Sequence, residues 1–377
     1  MTTHVCLINS SFTAALTPVI DLTISSDNLV IVAESAYQKE AALLLSIARI
    51  RGYKGEIVLL PDTHSTLDIK LFMVDLFNRL TNSDNDIWLN ATGGNRYHAL
   101  AAFEVAREFE LPVYVVEPNH DSLFWLYPED KPAIPIEDKL KLHEYFTLFG
   151  ISLENCQPNQ GIQHAVRKLT AKWCSDIEYY RKGISALNYY ASVAQDTDQV
   201  TLDETYNNNQ ALLDILEDLE QLGYLSITRD TITFSNQKNR FFCNGGWLEE
   251  WCFATIKKLS ARLPSIQDLS YAVEVTRQYN RREVKNELDV VALVNNKLHI
   301  IECKTGKLNN ESSNQILYRL NSLTELIGDT AGRAALVTYN KVPASVAARA
   351  VELDINILGP DQLPNLTSHL ERWLANA

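Results

Sequence analysis

The sequence predicts an α/β protein built in three consecutive parts. Residues 4 to about 120 alternate short apolar runs with helical patterns. Residues 162 to about 236 are helical and end in a hairpin-like run. From Gly245 the order changes to one helix, three strands, and further helix–strand alternation. A chain of 377 residues exceeds what a single core sustains, so two or three domains are expected.

In the front part, residues 4–8, 29–33, 56–60, 86–89 and 112–116 read as buried parallel strands, and 39–50, 67–80 and 97–109 as the helices between them. Such alternation with short loops implies a doubly wound, Rossmann-like sheet over residues 1–150, whose ligands bind beyond the C-terminal strand ends. Residues 122–127 add an edge strand. Pro128, Pro132, Pro135 and the polar stretch 155–161 then punctuate the chain.

In the second part, a helix over 210–222 and a hairpin over 223–234 suggest a winged helix. Its candidate recognition helix carries Asp214, Glu217, Asp218 and Glu220 and no basic residue. That face repels phosphate, so 151–240 reads as a helical connector or dimer element rather than a DNA reader. The back part, 241–377, runs helix 247–263, strands 271–277, 287–294 and 297–304, helix 312–327, strand 334–339, helix 344–353, strand 355–358 and a closing helix.

Composition limits function. Lys and Arg number 34 against 47 Asp and Glu, a net charge of −13. This disfavours a protein that coats duplex DNA and leaves room for an enzyme that grips nucleic acid at one local groove. Met1-Thr2-Thr3-His4 lacks the basic start of a signal peptide, and no apolar run is long enough to span a membrane. The six cysteines (Cys6, Cys156, Cys174, Cys243, Cys252, Cys303) show no Cys-x-x-Cys spacing. A cytoplasmic protein with reduced, buried thiols, no structural zinc and no membrane contact is expected.

Chemistry concentrates on one hairpin. Asn295-Asn296 suits a two-residue type I′ turn, because Asn tolerates left-handed backbone. The register then sets Val294 opposite Lys297, Asp289 opposite Glu302 and Glu287 opposite Lys304, with Glu287, Asp289, Glu302 and Lys304 on one face. Directly opposed carboxylates repel, and a divalent cation between them removes the conflict. Mg²⁺ or Mn²⁺ suits such hard oxygen ligands. Lys304, on the same face, can orient or activate water and stabilise a pentavalent phosphoryl group. A solvated, salt-bridged hairpin would explain Glu287 with Lys304 but not Asp289 opposite Glu302. His299 falls on the other face and is excluded as a ligand.

On the preceding helix, Glu249 shares the apolar side with Cys252, Phe253 and Ile256, whereas Glu250 points to solvent with Ala254, Lys257 and Lys258. An inward acid requires a partner, which makes Glu249 the third acid. Arg277, Arg281, Arg282 and Lys285 cluster on the strand end and turn leading to this site. They are candidates for gripping nucleic acid, or else a solvated basic turn.

Glu249, Asp289 and Glu302-Cys303-Lys304 together resemble the Glu…Asp…Glu-x-Lys signature of the PD-(D/E)xK restriction-endonuclease-like superfamily, and the element order over 245–339 matches that fold. The resemblance implies that the three acids hold one or two metal ions while Lys304 assists water attack. Gln315 and Tyr318 on the next helix resemble accessory positions of that superfamily.

The front domain carries a glycine-rich loop, Asn90-Ala91-Thr92-Gly93-Gly94-Asn95-Arg96, between a strand and a helix. Two glycines let the backbone approach a ligand, the helix N-terminus presents free N–H groups, Thr92 and Asn95 can bond polar atoms and Arg96 can pair with phosphate. The loop is neither a Walker A motif nor Gly-x-Gly-x-x-Gly, and a structural turn is nearly as good a reading. The loop after the first strand, with Ser10, Ser11 and Phe12, opens at the same sheet edge. The pair of loops resembles the CARF domain, a Rossmann-like sensor of cyclic oligoadenylates, although many such domains carry lysine at the place of Arg96.

A CARF-like front, a winged-helix-like middle and a PD-(D/E)xK-like back resemble the cyclic-oligoadenylate-activated DNA/RNA nucleases of type III CRISPR defence. The resemblance implies a homodimer, an activator (cyclic tetra-adenylate above others) at the two-fold axis of the front domains, and metal-dependent cleavage of DNA, single-stranded RNA or both. On this reading the front loops and the acids communicate only through the helical connector. A ligand-controlled transcription regulator with a degenerate back domain, or a constitutive nuclease with a merely dimerising front, are the competing readings.

Overall fold

The computed structural model describes residues 2–9, 11–24, 26–82, 86–117, 119–155, 163–204, 206–279, 282–328 and 331–375. The front part runs β1 (Thr2–Ile8), α1 (Phe12–Ile20), β2 (Ser26–Ala33), α2 (Gln38–Ile50), β3 (Lys54–Leu59), α3 (Thr66–Thr81), β4 (Asp86–Asn90), α4 (Arg96–Glu108), β5 (Val113–Glu117), β6 (Ser122–Tyr127), β7 (Ile134–Pro135) and α5 (Leu142–Leu148). Its seven strands lie in the order β3-β2-β1-β4-β5-β6-β7, parallel from β3 to β5 and antiparallel beyond. β1 is buried at every position, as a parallel strand covered on both faces must be. The strand order reverses between β1 and β4, which opens a crevice at their C-terminal ends.

Helix α1 departs from the sequence expectation, which placed nothing between the first two strands. It buries Phe12, Ala14, Ala15, Leu16, Thr17, Pro18, Val19 and Ile20. A helix buried almost all round has no amphipathic stripe, and Pro18 inside it hides the period further.

The chain continues through β8 (Ile151–Asn155), α6 (His164–Ser175), α7 (Ile177–Val193), β9 (Gln199–Thr201), α8 (Gln210–Gln221), β10 (Leu225–Thr228), β11 (Thr231–Phe234) and α9 (Gln237–Phe241). The β10–β11 hairpin turns at Arg229, with φ 56°, and β9 completes a three-stranded sheet. This is the winged-helix-like unit. Two acids of α8 bond to neighbouring helices at the surface: Tyr179 donates to Asp214 at 2.7 Å and Lys172 to Asp218 at 2.6 Å.

The back part comprises α10 (Trp247–Ser260), β12 (Ile266–Tyr279), β13 (Arg282–Val294), β14 (Lys297–Lys304), α11 (Asn310–Ile327), β15 (Arg333–Thr338), α12 (Ala344–Glu352), β16 (Ile355–Leu358) and α13 (Leu366–Ala375). The sheet order is β16-β15-β14-β13-β12-β8. β8, from before the winged-helix-like unit, forms its edge by pairing antiparallel with β12, Leu153 opposite Val275 and Ile151 opposite Arg277. The expected hairpin register holds, with Val294 opposite Lys297 and Val290 opposite Ile301. Asn295 and Asn296 turn at φ 49° and 56°, the two left-handed positions that a type I′ turn demands.

Front and back do not meet only through the connector. One apolar cluster joins Ile8, Phe12 and Leu16 to Leu288, Leu293 and Leu317. Polar contacts add to it at the hairpin tip. The Asn296 amide donates to both carboxylate oxygens of Asp121 at 3.2 Å, and Lys297 Nζ donates to the Asn119 carbonyl at 3.2 Å. The expectation of a purely indirect path is corrected: the hairpin that carries the acids stands on the front domain.

Candidate active site

Three elements bring the predicted acids toward one place. Asp289 and Glu302 stand one residue beyond the last paired positions of the β13–β14 ladder, and Glu249 lies in the first turn of α10. Their relative exposures are 7% for Asp289, 2% for Glu302 and 9% for Glu249. Burial of three acids is costly unless charge partners surround them.

Two cations do. Lys304 Nζ lies 2.7 Å from Glu302 Oε1 and 3.5 Å from Asp289 Oδ2. Arg319, reaching down from α11, forms a close ion pair with the same Glu302 Oε1. Asp289 Oδ2 also accepts the Cys303 backbone N–H at 2.7 Å across the hairpin. Glu287 pairs with Glu274 on the β12 side of β13, and its expected place opposite Lys304 lies beyond the last paired positions of the β13–β14 ladder.

The electrostatics follow from burial. The Glu249 carboxyl is pushed up to about 9, by burial first and then by the charge of Asp289. Asp289 is raised to about 6, by burial and then by Glu302, while Lys304 and the Cys303 N–H pull the other way. Burial works against the Lys304 charge, but Asp289 and Glu302 outweigh it and hold the ammonium above its ordinary range. Glu250, expected in solvent, is half-buried, and its carboxyl is raised by the same burial. His299 is wholly buried and its pKa falls to about 3 through desolvation.

The donor set suits a hard divalent cation: oxygen only, with Glu249 Oε2 buried and without a hydrogen-bond partner. Among the described residues no three potential ligands are already gathered around one point. Lys304 and Arg319 stand against Glu302 instead. Of the accessory positions on α11, Gln315 is exposed and the Tyr318 ring faces Arg349, 5.9 Å from its centroid. Arg319, the next residue, is the one that reaches the site. Sequence reading missed it, because its partner sits 17 residues away across a loop and no periodicity marks such a contact.

The basic cluster is diluted. Arg282 and Lys285 are exposed and Arg277 half-buried, Lys285 lies 3.8 Å from Glu283, and the adjoining cleft is lined by Glu154, Glu274 and Glu287. Arg281 lies outside the described residues.

In the front crevice the two predicted loops meet. The Asn9 amide donates to the Gly94 carbonyl at 3.1 Å. Gly94 adopts φ 81°, and any Cβ on Gly93 would strike the Leu7 backbone carbonyl. Close packing on β1 therefore already demands glycine there. The Thr92 hydroxyl donates to Asn90 at 2.6 Å and accepts the Val116 N–H at 2.7 Å, so it is used within the fold. The Asn95 amide donates to Glu34 at 2.6 Å, Arg96 is exposed and Ser11 half-exposed. Phe12 is a correction: it is 8% exposed, its ring 5.9 Å from Phe149, and it belongs to the core beneath the loop. Ser10 lies outside the described residues.

A Rossmann-like crevice domain joined to a sheet whose hairpin bears Asp289 and Glu302-x-Lys304 defines the class: a CARF-type α/β protein with a nuclease back. Comparison with known proteins places the chain more closely. Residues 236–377 match the Card1-like endonuclease domain family. The crystal structure of protein VC1899 from Vibrio cholerae is similar over 100% of this chain and 98% of that one, with 32% identity and a TM-score of 0.93. The chain belongs to one family with VC1899, and its residues 236–377 form a domain of the Card1-like endonuclease family. No curated protein matches it. The fold is shared with Can2 from Sulfobacillus thermosulfidooxidans, solved in complex with cyclic tetra-adenylate (TM-score 0.80, 21% identity, 99% of each chain). It is shared in part with a type III CRISPR defence DNA nuclease activated by cyclic oligoadenylate (TM-score 0.57, 12% identity, 91% of this chain and 47% of that one).

Proposed function

We propose that this protein is a metal-dependent endonuclease of antiviral type III CRISPR defence, activated by a cyclic oligoadenylate bound at the front crevice. The observation that carries the reading is the burial of Glu249, Asp289 and Glu302 beside Lys304 on one hairpin and one helix. Mg²⁺ or Mn²⁺ would be held by the three acids, and when bound it would supply Lewis-acid stabilisation of a phosphoryl oxygen and a water of lowered pKa. Lys304 would keep its proton beside the reacting phosphate, where a fixed ammonium stabilises charge without reorganisation. Cleavage of DNA, single-stranded RNA or both belongs to this proposal, as does a homodimer whose two front crevices share one ring nucleotide. A ring nucleotide of this class, cyclic tetra-adenylate, is the ligand in the Can2 structure. Against a transcription regulator stands α8, which carries four acids and no basic residue, Asp214 and Asp218 of them bonded to α7 and α6.

Supercoiled plasmid and labelled single-stranded RNA, incubated with Mn²⁺ and with or without cyclic oligoadenylates of several ring sizes, test the proposal. Activator-dependent cleavage that disappears in Glu302→Ala supports it. Sequence-specific DNA binding without cleavage would favour the regulator, and cleavage indifferent to every ring size the constitutive nuclease.

A further inference from the structure

Glu302 carries two cationic partners on one oxygen, and they differ in kind. Lys304 is its neighbour on β14 and is held by Asp289 as well. Arg319 comes from α11, is 48% exposed, and touches no other acid of the site at ion-pair distance. Its long side chain ends in a planar fork of donors that matches a carboxylate or a phosphate equally well.

We propose that Arg319 is a two-position residue: it neutralises Glu302 while the acids are without their divalent cation, and it turns to a non-bridging phosphate oxygen of the substrate once Glu302 becomes a ligand. The inference rests on the reading under Proposed function. For Glu302 Oε1 to ligate an ion, the lone pairs now shared by Lys304 and Arg319 must be freed. Lys304 retains Asp289 as a partner. Among the described residues Arg319 has no second acid at ion-pair distance, and its exposure gives it a path to the solvent side, from which a nucleic acid must approach. The same movement would couple metal loading to substrate grip, since the guanidinium is free for phosphate only after the ion has displaced it.

The test uses full-length protein and two substitutions, Arg319→Ala and Arg319→Lys, with thermal melts in chelator confirming that both fold. Calorimetric titration with Mn²⁺ alone reads the first position. Arg319→Ala should bind Mn²⁺ about five- to tenfold more tightly than wild type, because no guanidinium competes for Glu302. Arg319→Lys should stay near wild type. Activated cleavage reads the second position. Both variants should raise KM for nucleic acid about tenfold, since an ammonium lacks the bidentate fork. Unchanged Mn²⁺ affinity in Arg319→Ala, or unchanged KM in both variants, overturns the inference while the nuclease reading stands. A wild-type protein that neither binds Mn²⁺ nor cleaves overturns both.

Discussion

Glu249 and Asp289 hold their protons more tightly than exposed acids do, and this makes pH a handle on the site. A carboxyl raised from 4.5 to about 9 in the fold is ionised in the unfolded chain while still protonated in the native one. The unfolded state is therefore favoured progressively as pH climbs from about 4.5 toward 9, and the penalty is absent below that window. Glu249→Gln removes the titration. In chelator, its melting temperature should match wild type near pH 4.5 and exceed it increasingly toward pH 9. A gap that does not widen with pH would mean that the buried acid is compensated by something else. Lys304 is the second residue-scale case. Lys304→Ala should lower kcat by about a hundredfold or more while Mn²⁺ affinity holds or improves, because an ammonium does not ligate a cation. A mutant that loses Mn²⁺ affinity yet turns over normally at saturation would reverse the assignment.

Among the elements, the β13–β14 hairpin shows why part of this protein is legible from its sequence. Asn295-Asn296 names the turn, the turn sets the register, and alternation then places Asp289 with Glu302; every step is local. The basis is testable: at φ 49°, Asn295→Ala should cost about 1–2 kcal/mol of stability, measured as a shifted denaturant midpoint, whereas Asn295→Gly should stay near wild type. Equal losses in both would place the cost in the side chain rather than the backbone. What the sequence hid is non-local. α1 lacks a stripe because it is covered on nearly all sides. β8 is five residues long and finds its partner over 100 positions away. Arg319 sits on an ordinary exposed face of α11 and matters only because Glu302 lies beneath it.

For the whole molecule, the question is how occupancy of the crevice reaches the hairpin. Arg96 lies at the crevice, and Arg96→Ala should raise the activator concentration for half-maximal cleavage while leaving the maximal rate near wild type. The path onward runs through contacts already in place: Thr92 bonds Val116 on β5, β5 pairs with β6, and Asp121 just before β6 accepts the Asn296 amide. Asn296→Gly preserves the left-handed turn and removes that amide. Activator affinity measured by titration should persist while the fold-activation of cleavage falls, since a ligand shifts an equilibrium only through contacts that differ between the two states. Full activation in this variant would move the coupling to the apolar cluster that joins Phe12 and Leu16 to Leu293.

The edge strand β8 carries a consequence for how such proteins can be taken apart. The segment matching the endonuclease family starts at residue 236, which invites treating it as a cassette. Yet a fragment begun there leaves the outer side of β12 without the partner that Ile151, Ser152 and Leu153 provide. An unpaired strand edge is a template for any other chain that offers one. Begun at 151 instead, the fragment recovers that strand but loses Ile8, Phe12 and Leu16 from the apolar cluster that also holds Leu288 and Leu293. Neither cut yields a finished surface. Recombination that grafts a different sensor onto this nuclease must therefore carry the short strand and the buried α1 helix along with it, and the two halves are heritable only as a matched pair.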